Sequence, residues 1–237
     1  MGRQVWVTTA VAGPSDRLWQ LTQDTAHHPR WDLRFSSITP AGTDHDGRQR
    51  FTYALALPHP RLPLLTVRGT GTSTAERRGD DGAGTSAIRF AAGDALTDRL
   101  SPLADGAGYW RYAPEPDGRT RFTTGYDYRP GWGRFGAALD PWLTRPLVGW
   151  ATAWSFDRLR LWAERGQTPE RSRDLALAWT AGRVVVVLLT AAALRRRRPL
   201  LALVTAGALA LPTPASVPSA RRCGRRPDRR TVRGADR

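Results

Sequence analysis

Few side chains in this 237-residue chain have the type and spacing for chemistry, and the first is an acid between two aromatic residues. Asp127 lies between Tyr126 and Tyr128 in an alternating segment. A buried carboxyl has a raised pKa, which would suit general acid–base work. Strand alternation places Asp127 opposite the two tyrosines, so only one of the two sets can face the interior. Asp127, Tyr53 and Arg34 are the candidates for catalysis.

Two arginines are candidates for binding an anionic group. Arg34 follows the Trp31-Asp32 turn, and Arg68 lies in the middle of a predicted strand. Either guanidinium could bind a ligand carboxylate or phosphate. The alternative for each is an arginine on the solvated face of the protein.

Recognisable catalytic and metal-binding motifs are missing from the sequence. The four histidines and the single cysteine form no His-x-x-x-His or Cys pair, and neither Gly-x-Ser-x-Gly nor Gly-Lys-Ser/Thr occurs. We therefore expect no metal and no cofactor. A binding protein is favoured over an enzyme, although the missing motifs do not exclude an enzyme.

The elements that would position these residues begin with a strand over residues 4–11. A short helix follows over residues 16–21, opened by Pro14, and then the motif Pro29-Arg30-Trp31-Asp32. Proline suits the first turn of a helix because its missing N–H would have no partner there. Polar turns then separate further strand candidates, at residues 35–38, 49–57, 64–74, 86–91, 108–113 and 120–128.

Short strands in succession predict an antiparallel meander. Residues 147–165 form one long helix that Gly166 and Pro169 end. Its apolar arc is much wider than the polar face that carries Asp157, Arg160 and Glu164. The predicted fold class is α+β: a curved antiparallel sheet of six to seven strands around a long C-terminal helix, with an apolar helical tail.

The opening residues resemble the helix-grip proteins of the SRPBCC superfamily, which joins START domains, polyketide cyclases and birch-allergen-like proteins. The resemblance covers roughly residues 3–166. It implies a cavity between sheet and long helix, and so a hydrophobic small molecule or lipid as ligand. The implied lining is aromatic apart from one arginine: Trp31, Phe51, Tyr53, Arg68, Trp110, Tyr112, Tyr126, Tyr128, Trp150 and Trp154. Several of these rings could instead fill the core.

The net charge of +15 belongs mostly to the end of the chain. Residues 1–170 carry 21 Arg against 18 acidic residues, a net +3, and residues 171–237 carry 15 Arg against 3 Asp, a net +12. The chain contains no lysine, so the arginines reflect coding bias as much as phosphate recognition. We expect no nucleic-acid binding by the folded part.

The end of the chain predicts membrane association. Residues 175–194 are apolar apart from Arg183, and Arg195–Arg198 separates them from a second apolar run over residues 200–211. Twenty apolar residues can cross a bilayer, but Arg183 disfavours a span. The alternatives are a helix that lies in the membrane interface and a helix that packs on the domain. No secretory signal precedes the first strand, which predicts the cytoplasmic side.

Three units and three functions follow as expectations. The units are a helix-grip domain (residues 1–168), an apolar membrane-associating segment (169–211) and a disordered Arg/Pro-rich tail (212–237). The favoured function is binding of a hydrophobic small molecule or lipid near a membrane. The alternatives are a polyketide cyclase, aromatase or dehydratase using the same cavity, and an interaction module with a filled core. The sequence does not fix the oligomeric state.

Overall fold

Seven strands form a single antiparallel sheet in the order β1-β7-β6-β5-β4-β3-β2. The computed structural model describes residues 4–59, 62–93, 95–96 and 98–225. Strands β2 to β7 form a meander in chain order, and β1 pairs with β7, so β1 and β2 are the two edges. The predicted antiparallel sheet is confirmed. The strands are β1 (Val5–Ala12), β2 (Ser37–Thr43), β3 (Gln49–His59), β4 (Leu62–Arg78), β5 (Gly84–Ala92), β6 (Leu103–Pro114) and β7 (Arg119–Pro130).

The helices lie beside the sheet, and the 21-residue helix α4 (Arg145–Arg165) follows the last strand. Helix α4 ends at Gly166, whose φ of 65° is the left-handed conformation that glycine adopts most easily. A short helix and a π-helical turn, Asp140–Thr144, precede α4 and were not predicted. The helices are α1 (Ser15–Gln23), α2 (His28–Trp31), α3 (Gly133–Leu139), α4 (Arg145–Arg165), α5 (Pro169–Arg195) and α6 (Pro199–Leu209).

Strand β2 differs from its prediction. The expected strand at 35–38 lies at Ser37–Thr43 and continues through Pro40. Proline is tolerated there because β2 is an edge strand, and the register shifts between Pro40 and Thr43. Strand β6 also begins earlier than predicted, at Leu103.

The main core lies where α4 crosses the β1 end of the sheet. Alternate residues of β1 are buried, and Phe122 of β7 stacks on Phe156 of α4 with ring centroids 4.6 Å apart. Leu159 and Val7 are also fully buried in this cluster. The core therefore fixes α4 over β1 and β7.

The polar face of α4 is covered by residues 213–225, which we call the C-terminal clip. Asp157 is fully buried and accepts hydrogen bonds from the Ser219 backbone N–H and from Arg222, at 2.8 and 2.9 Å. Gly224 pairs with Thr8 of β1 through two backbone hydrogen bonds of 2.9 Å. The expectation of disorder from residue 212 is therefore wrong for this segment, because a buried carboxylate and a sheet edge hold it. Residues 226–237 lie outside the described residues.

Helices α5 and α6, which lie between the domain and the clip in sequence, form an antiparallel hairpin. At its root, Arg30 of α2 forms a two-bond ion pair with Glu170, and Gln167 donates to the Ser216 carbonyl at 2.8 Å. The most apolar 18-residue window of α5 has none of its residues buried. The guanidinium of Arg183 donates to the Leu209 and Leu211 carbonyls at the end of α6.

Candidate functional site: an aromatic groove on the concave face

The residues of β3 that face α4 are apolar and share that face with alternate residues of β4. Phe51 pairs with Gly71 and Leu55 with Val67. Directly paired residues of antiparallel strands project to the same side of a sheet. Continuing this register across the sheet defines a concave groove, lined by Phe51, Tyr53, Leu55, Val67, Ile88, Phe90, Trp110 and Tyr126.

Aromatic rings of the groove lie flat over glycines of the neighbouring strand. A Cβ at Gly71 would lie 2.2 Å from the Phe51 ring, and one at Gly69 would lie 2.3 Å from the Tyr53 ring. Any larger side chain would lift these rings away from the sheet. Glycine therefore keeps the floor of the groove low and leaves space above it.

The groove is open to solvent rather than closed. Phe51, Tyr53, Phe90 and Trp110 are all only half-buried, whereas α4 makes its contacts with the sheet mainly at β1. Two shallow surface depressions, of about 280 and 550 Å³, are lined by other residues. The predicted cavity is thus an apolar groove beside the long helix.

A buried ion pair forms the polar floor at the helix end of the groove. The Asp32 carboxylate is fully buried and binds Arg34 Nε and Nη2 at 2.9 and 2.6 Å. Burial opposes ionisation of Asp32, but the charge of Arg34 and the hydrogen bonds outweigh it, so the pKa of Asp32 is below its ordinary value. The carboxylate and the guanidinium carry opposite charges and are joined by two hydrogen bonds, so the pair has no net charge.

Sequence reasoning missed His28, which the structure places beside this pair. Its Nε2 lies 3.2 Å from Asp32 Oδ2, and its ring stacks on Trp31 with centroids 5.0 Å apart. Burial lowers the pKa of His28, although Asp32 acts in the opposite direction. The spacing of four residues along α2 was the available signal, since it places both side chains on one face.

Tyr126 extends the polar floor toward α4. Its hydroxyl is 2.9 Å from Thr152 Oγ1, and the Arg34 guanidinium carbon lies 5.3 Å from its ring centroid. Tyr53 stands further along the groove, where its hydroxyl donates to the Ala91 carbonyl at 3.2 Å. Burial raises the pKa of Tyr53 to about 12, so this phenol is neutral at physiological pH.

Four of the predicted lining rings are buried: Trp31 and Tyr112 in the main core, and Tyr126 and Tyr128 in a second cluster with Val5. Trp31 is fully buried, and its Nε1 donates to the Leu21 carbonyl at 2.8 Å. Tyr112 is equally buried, with its hydroxyl 2.6 Å from Thr22 Oγ1. These two rings support the groove from behind.

The two tryptophans of α4 occupy different surroundings. Trp150 is 44% exposed near the start of the helix, whereas Trp154 is half-buried against the main core, with the Arg158 guanidinium 5.4 Å from its ring centroid. Trp150 is therefore the more exposed of the two rings.

Two predicted polar residues face away from the groove. Asp127 and Arg68 are exposed on the convex face, because their buried neighbours Tyr126 and Val67 face inward. Tyr126 and Tyr128 therefore face inward, and Asp127 faces outward. The backbone N–H of Arg68 donates to Asp98 at 2.7 Å, which ties the β5–β6 connection to β4.

No protein-family profile matches the chain. It is 36% identical over 169 residues to the uncharacterized membrane protein YndG of Bacillus subtilis, an alignment that covers 71% of this chain and 60% of that protein. The chain therefore spans less than two thirds of that relative's length.

Solved structures with related folds superpose at low scores. The Zhui aromatase/cyclase of Streptomyces gives a TM-score of 0.41 at 15% identity, covering 68% of this chain and 98% of that one. A hypothetical protein of Helicobacter pylori gives 0.49 at 14% identity, covering 68% and 88%.

The fold of this chain is defined by its own topology. An opening strand, two short helices, six further antiparallel strands and, after a short helix and a π-helical turn, a long helix packed on β1 follow one another in the described residues. The chain therefore has the helix-grip arrangement of a curved antiparallel sheet and a long C-terminal helix that its opening residues predict.

Proposed function

We propose that this protein binds an uncharged, largely apolar small molecule or lipid in the concave groove while the α5–α6 hairpin holds it at a membrane. The observation that carries the proposal is the open aromatic groove over a neutral polar floor. Mostly apolar clefts with a few placed polar groups are the usual form of small-molecule sites.

The groove supplies apolar surface to a ligand. Phe51, Tyr53 and Phe90 present ring faces, and they remain half-exposed because α4 contacts the sheet mainly at β1. Covering exposed apolar surface is favourable by roughly 25 cal/mol per Å². A ligand that covers these rings would therefore gain most of its affinity from burial.

The polar floor favours a ligand without net charge. Asp32 and Arg34 neutralise each other, and burial keeps His28 neutral. A charged head group placed here would lose its hydration without meeting a free opposite charge. A ligand hydroxyl could instead donate to the hydroxyl oxygen of the half-buried Tyr53, whose own proton is donated to the Ala91 carbonyl.

The hairpin supports membrane attachment. Large apolar side chains of α5 and α6 are exposed, among them Leu188 at 63% and Leu203 at 71%. Helix α6 has 11 residues and is about 16 Å long, whereas the hydrocarbon core of a bilayer is about 30 Å thick. We therefore propose a hairpin that lies in the interface of the anionic cytoplasmic leaflet, with Arg195–Arg198 near head groups.

Binding of an uncharged fluorescent lipid analogue by the full-length protein tests the groove. Gly71→Ala should raise the Phe51 ring into the groove and weaken binding at least several-fold. Thr72→Ala is the matched control because Thr72 faces the other side of the same strand. Equal affinities for both variants, or preference for an analogue with a charged head group, would contradict the proposal.

Fractionation of the full-length protein tests the hairpin. It should sediment with membranes, and replacement of Arg195–Arg198 by glutamine should reduce the sedimented fraction at low salt and leave the remaining binding less sensitive to added salt. Recovery of the unaltered protein in the soluble fraction at low salt would exclude membrane attachment.

The His28–Asp32 pair supports a second candidate, a cyclase, aromatase or dehydratase reaction in the same groove. An imidazole held by a carboxylate is a common general base. If a polyketide-like substrate is converted, His28→Gln should abolish turnover. Asp127→Asn should leave turnover unchanged because Asp127 lies on the convex face. Absence of turnover in the unaltered protein leaves the binding function.

A further inference from the structure

Three connections of the sheet meet at the end of α4 that begins with Arg145. The β3–β4 hairpin extends past the pairing of Leu57 with Leu65, and β6 begins where Leu103 pairs with Pro130. The chain then passes through α3 and the π-helical turn into α4. The described residues that flank these three connections therefore lie at one end of the sheet, the end at which α4 begins.

These connections carry an unusual amount of exposed apolar surface. Leu64 is 90% exposed, Trp142 is 85% exposed and Leu96 is 81% exposed. Monomeric soluble proteins rarely expose large contiguous apolar patches without using them. We call this set the mouth rim; its members are Leu64, Leu96, Leu100, Trp132, Phe135 and Trp142.

Backbone strain contributes to the exposure of one rim residue. Trp132 adopts a left-handed conformation with φ of 60°, which is costly for a residue other than glycine. The corner is fixed by close packing, because a Cβ at Gly136 would lie 1.7 Å from the Gly131 carbonyl oxygen. The fold therefore maintains a strained turn that leaves the Trp132 side chain 42% exposed.

The charges around the rim are basic. Arg99 and Arg134 are exposed beside Leu100 and Phe135, and neither forms an ion pair within the described residues. The nearby carboxylates of Asp105 and Asp140 are already paired with Arg129 and Arg145. Surfaces that enter the interfacial region of anionic bilayers typically combine exposed tryptophan and leucine with unpaired arginine.

The rim is separate from the hairpin. It lies at the end of the sheet at which α4 begins, whereas α5 is tied to the domain just after the last turn of α4, at Glu170. A helix of 21 residues is about 31 Å long. Contact by one surface is therefore not a consequence of contact by the other.

We propose that the mouth rim is a second lipid-contacting surface, which inserts its tryptophan and leucine side chains among the head groups of an anionic bilayer. Through it, the open end of the groove would face lipid directly. The inference extends the proposed function but does not depend on which ligand the groove binds, since it concerns only the rim and the bilayer.

An environment-sensitive fluorophore tests the contact in the full-length protein. It is attached at Trp142→Cys or at Leu64→Cys, two positions on different connections, in a Cys223→Ser background. On addition of vesicles containing phosphatidylglycerol, both labels should shift to the blue and become quenched by lipids brominated near the head group. A label at Asp117→Cys, on the β6–β7 turn at the opposite end of the sheet, is the matched control.

The possible outcomes separate this proposal from hairpin attachment. If the protein sediments with vesicles while the rim labels behave like the control label, the rim proposal fails and hairpin attachment stands. If the rim labels shift without lipid and in proportion to protein concentration, the rim is a self-association surface and the proposal fails. If the rim labels shift to the blue with vesicles but the hairpin does not hold the protein to membranes, the rim proposal stands and hairpin attachment fails.

Discussion

Arg222 reaches back across 65 residues to place its Nη1 atom 2.9 Å from the fully buried carboxylate of Asp157. The same carboxylate binds Arg160 on α4, so two arginines neutralise one buried acid. A buried carboxylate left without a partner is costly, and this ion pair therefore fixes the C-terminal clip against the long helix. Cys223 follows directly and lies buried with its Sγ 3.2 Å from the Ala153 carbonyl.

We expect Arg222→Met to loosen the clip. Loss of its bond to Asp157 should lower the free energy of unfolding by about 2 kcal/mol, measured by urea titration. The single thiol should also react faster with a thiol reagent under native conditions, because Cys223 would become exposed. Arg221→Met is the control, since Arg221 is exposed and forms no ion pair within the described residues. Equal thiol reactivity in both variants would argue against the clip.

The buried imidazole predicts a pH dependence of stability. Burial lowers the pKa of His28 in the folded protein, whereas the unfolded chain takes up this proton near the ordinary value of 6.5. The unfolded state therefore binds more protons below pH 6.5, and the free energy of unfolding should fall there by up to about 1.4 kcal/mol per pH unit. His28→Gln should flatten the slope between pH 6.5 and 5.5. An unchanged slope would show that another group causes it.

Arg183 should hold the hairpin closed. Its guanidinium binds the last carbonyls of α6 and lies 5.6 Å from the Trp179 ring centroid. Arg183→Met should therefore speed amide hydrogen exchange throughout α6 by about tenfold, in line with loss of hydrogen bonds worth 1–2 kcal/mol. Arg196→Met, at the tip of the hairpin, should leave exchange in α6 as it is. If both variants exchange alike, Arg183 does not close the hairpin.

Loss of the buried Tyr112 hydroxyl should lower the free energy of unfolding. Its hydroxyl is 2.6 Å from Thr22 and accepts a bond from Gln23 at 3.0 Å, so Tyr112→Phe should cost about 1–2 kcal/mol of unfolding free energy. Tyr109→Phe changes the same group on the opposite face of β6 and should cost much less. A reversed order would mean that these hydrogen bonds do not contribute to stability.

Local patterns were sufficient to predict most of the fold. Alternation identified β3 and β7, and glycine with proline marked the end of α4, because each signal lies within one element. The turn from β7 into α4 was not predicted, since Trp132 takes a conformation that bulky residues avoid. Its strain is imposed by the close approach of Gly131 and Gly136, which no local pattern reveals.

The groove was harder to predict than the sheet. The aromatic residues of β3 were identified, but whether a ring fills the core or lines a surface depends on how far α4 reaches across the sheet. The long helix stays over β1, so Phe51 remains half-exposed while Tyr112 is buried. The pairing of Arg34 with Asp32 was also not predicted, although the two residues are neighbours in sequence.

The clip has a consequence for the exposed edge of the sheet. Strand β1 is an edge, and the Gly224 backbone occupies its hydrogen-bonding groups at Thr8. The other edge, β2, is interrupted by Pro40 and a shift in register, which discourage pairing with another strand. In a chain truncated before residue 213, the backbone groups of Thr8 would lose their Gly224 partners, and a strand of another molecule could pair with β1. Such a fragment should form β-rich aggregates even without its apolar hairpin. Its insolubility would therefore indicate an unpaired β1 edge and would not be evidence of lipid binding.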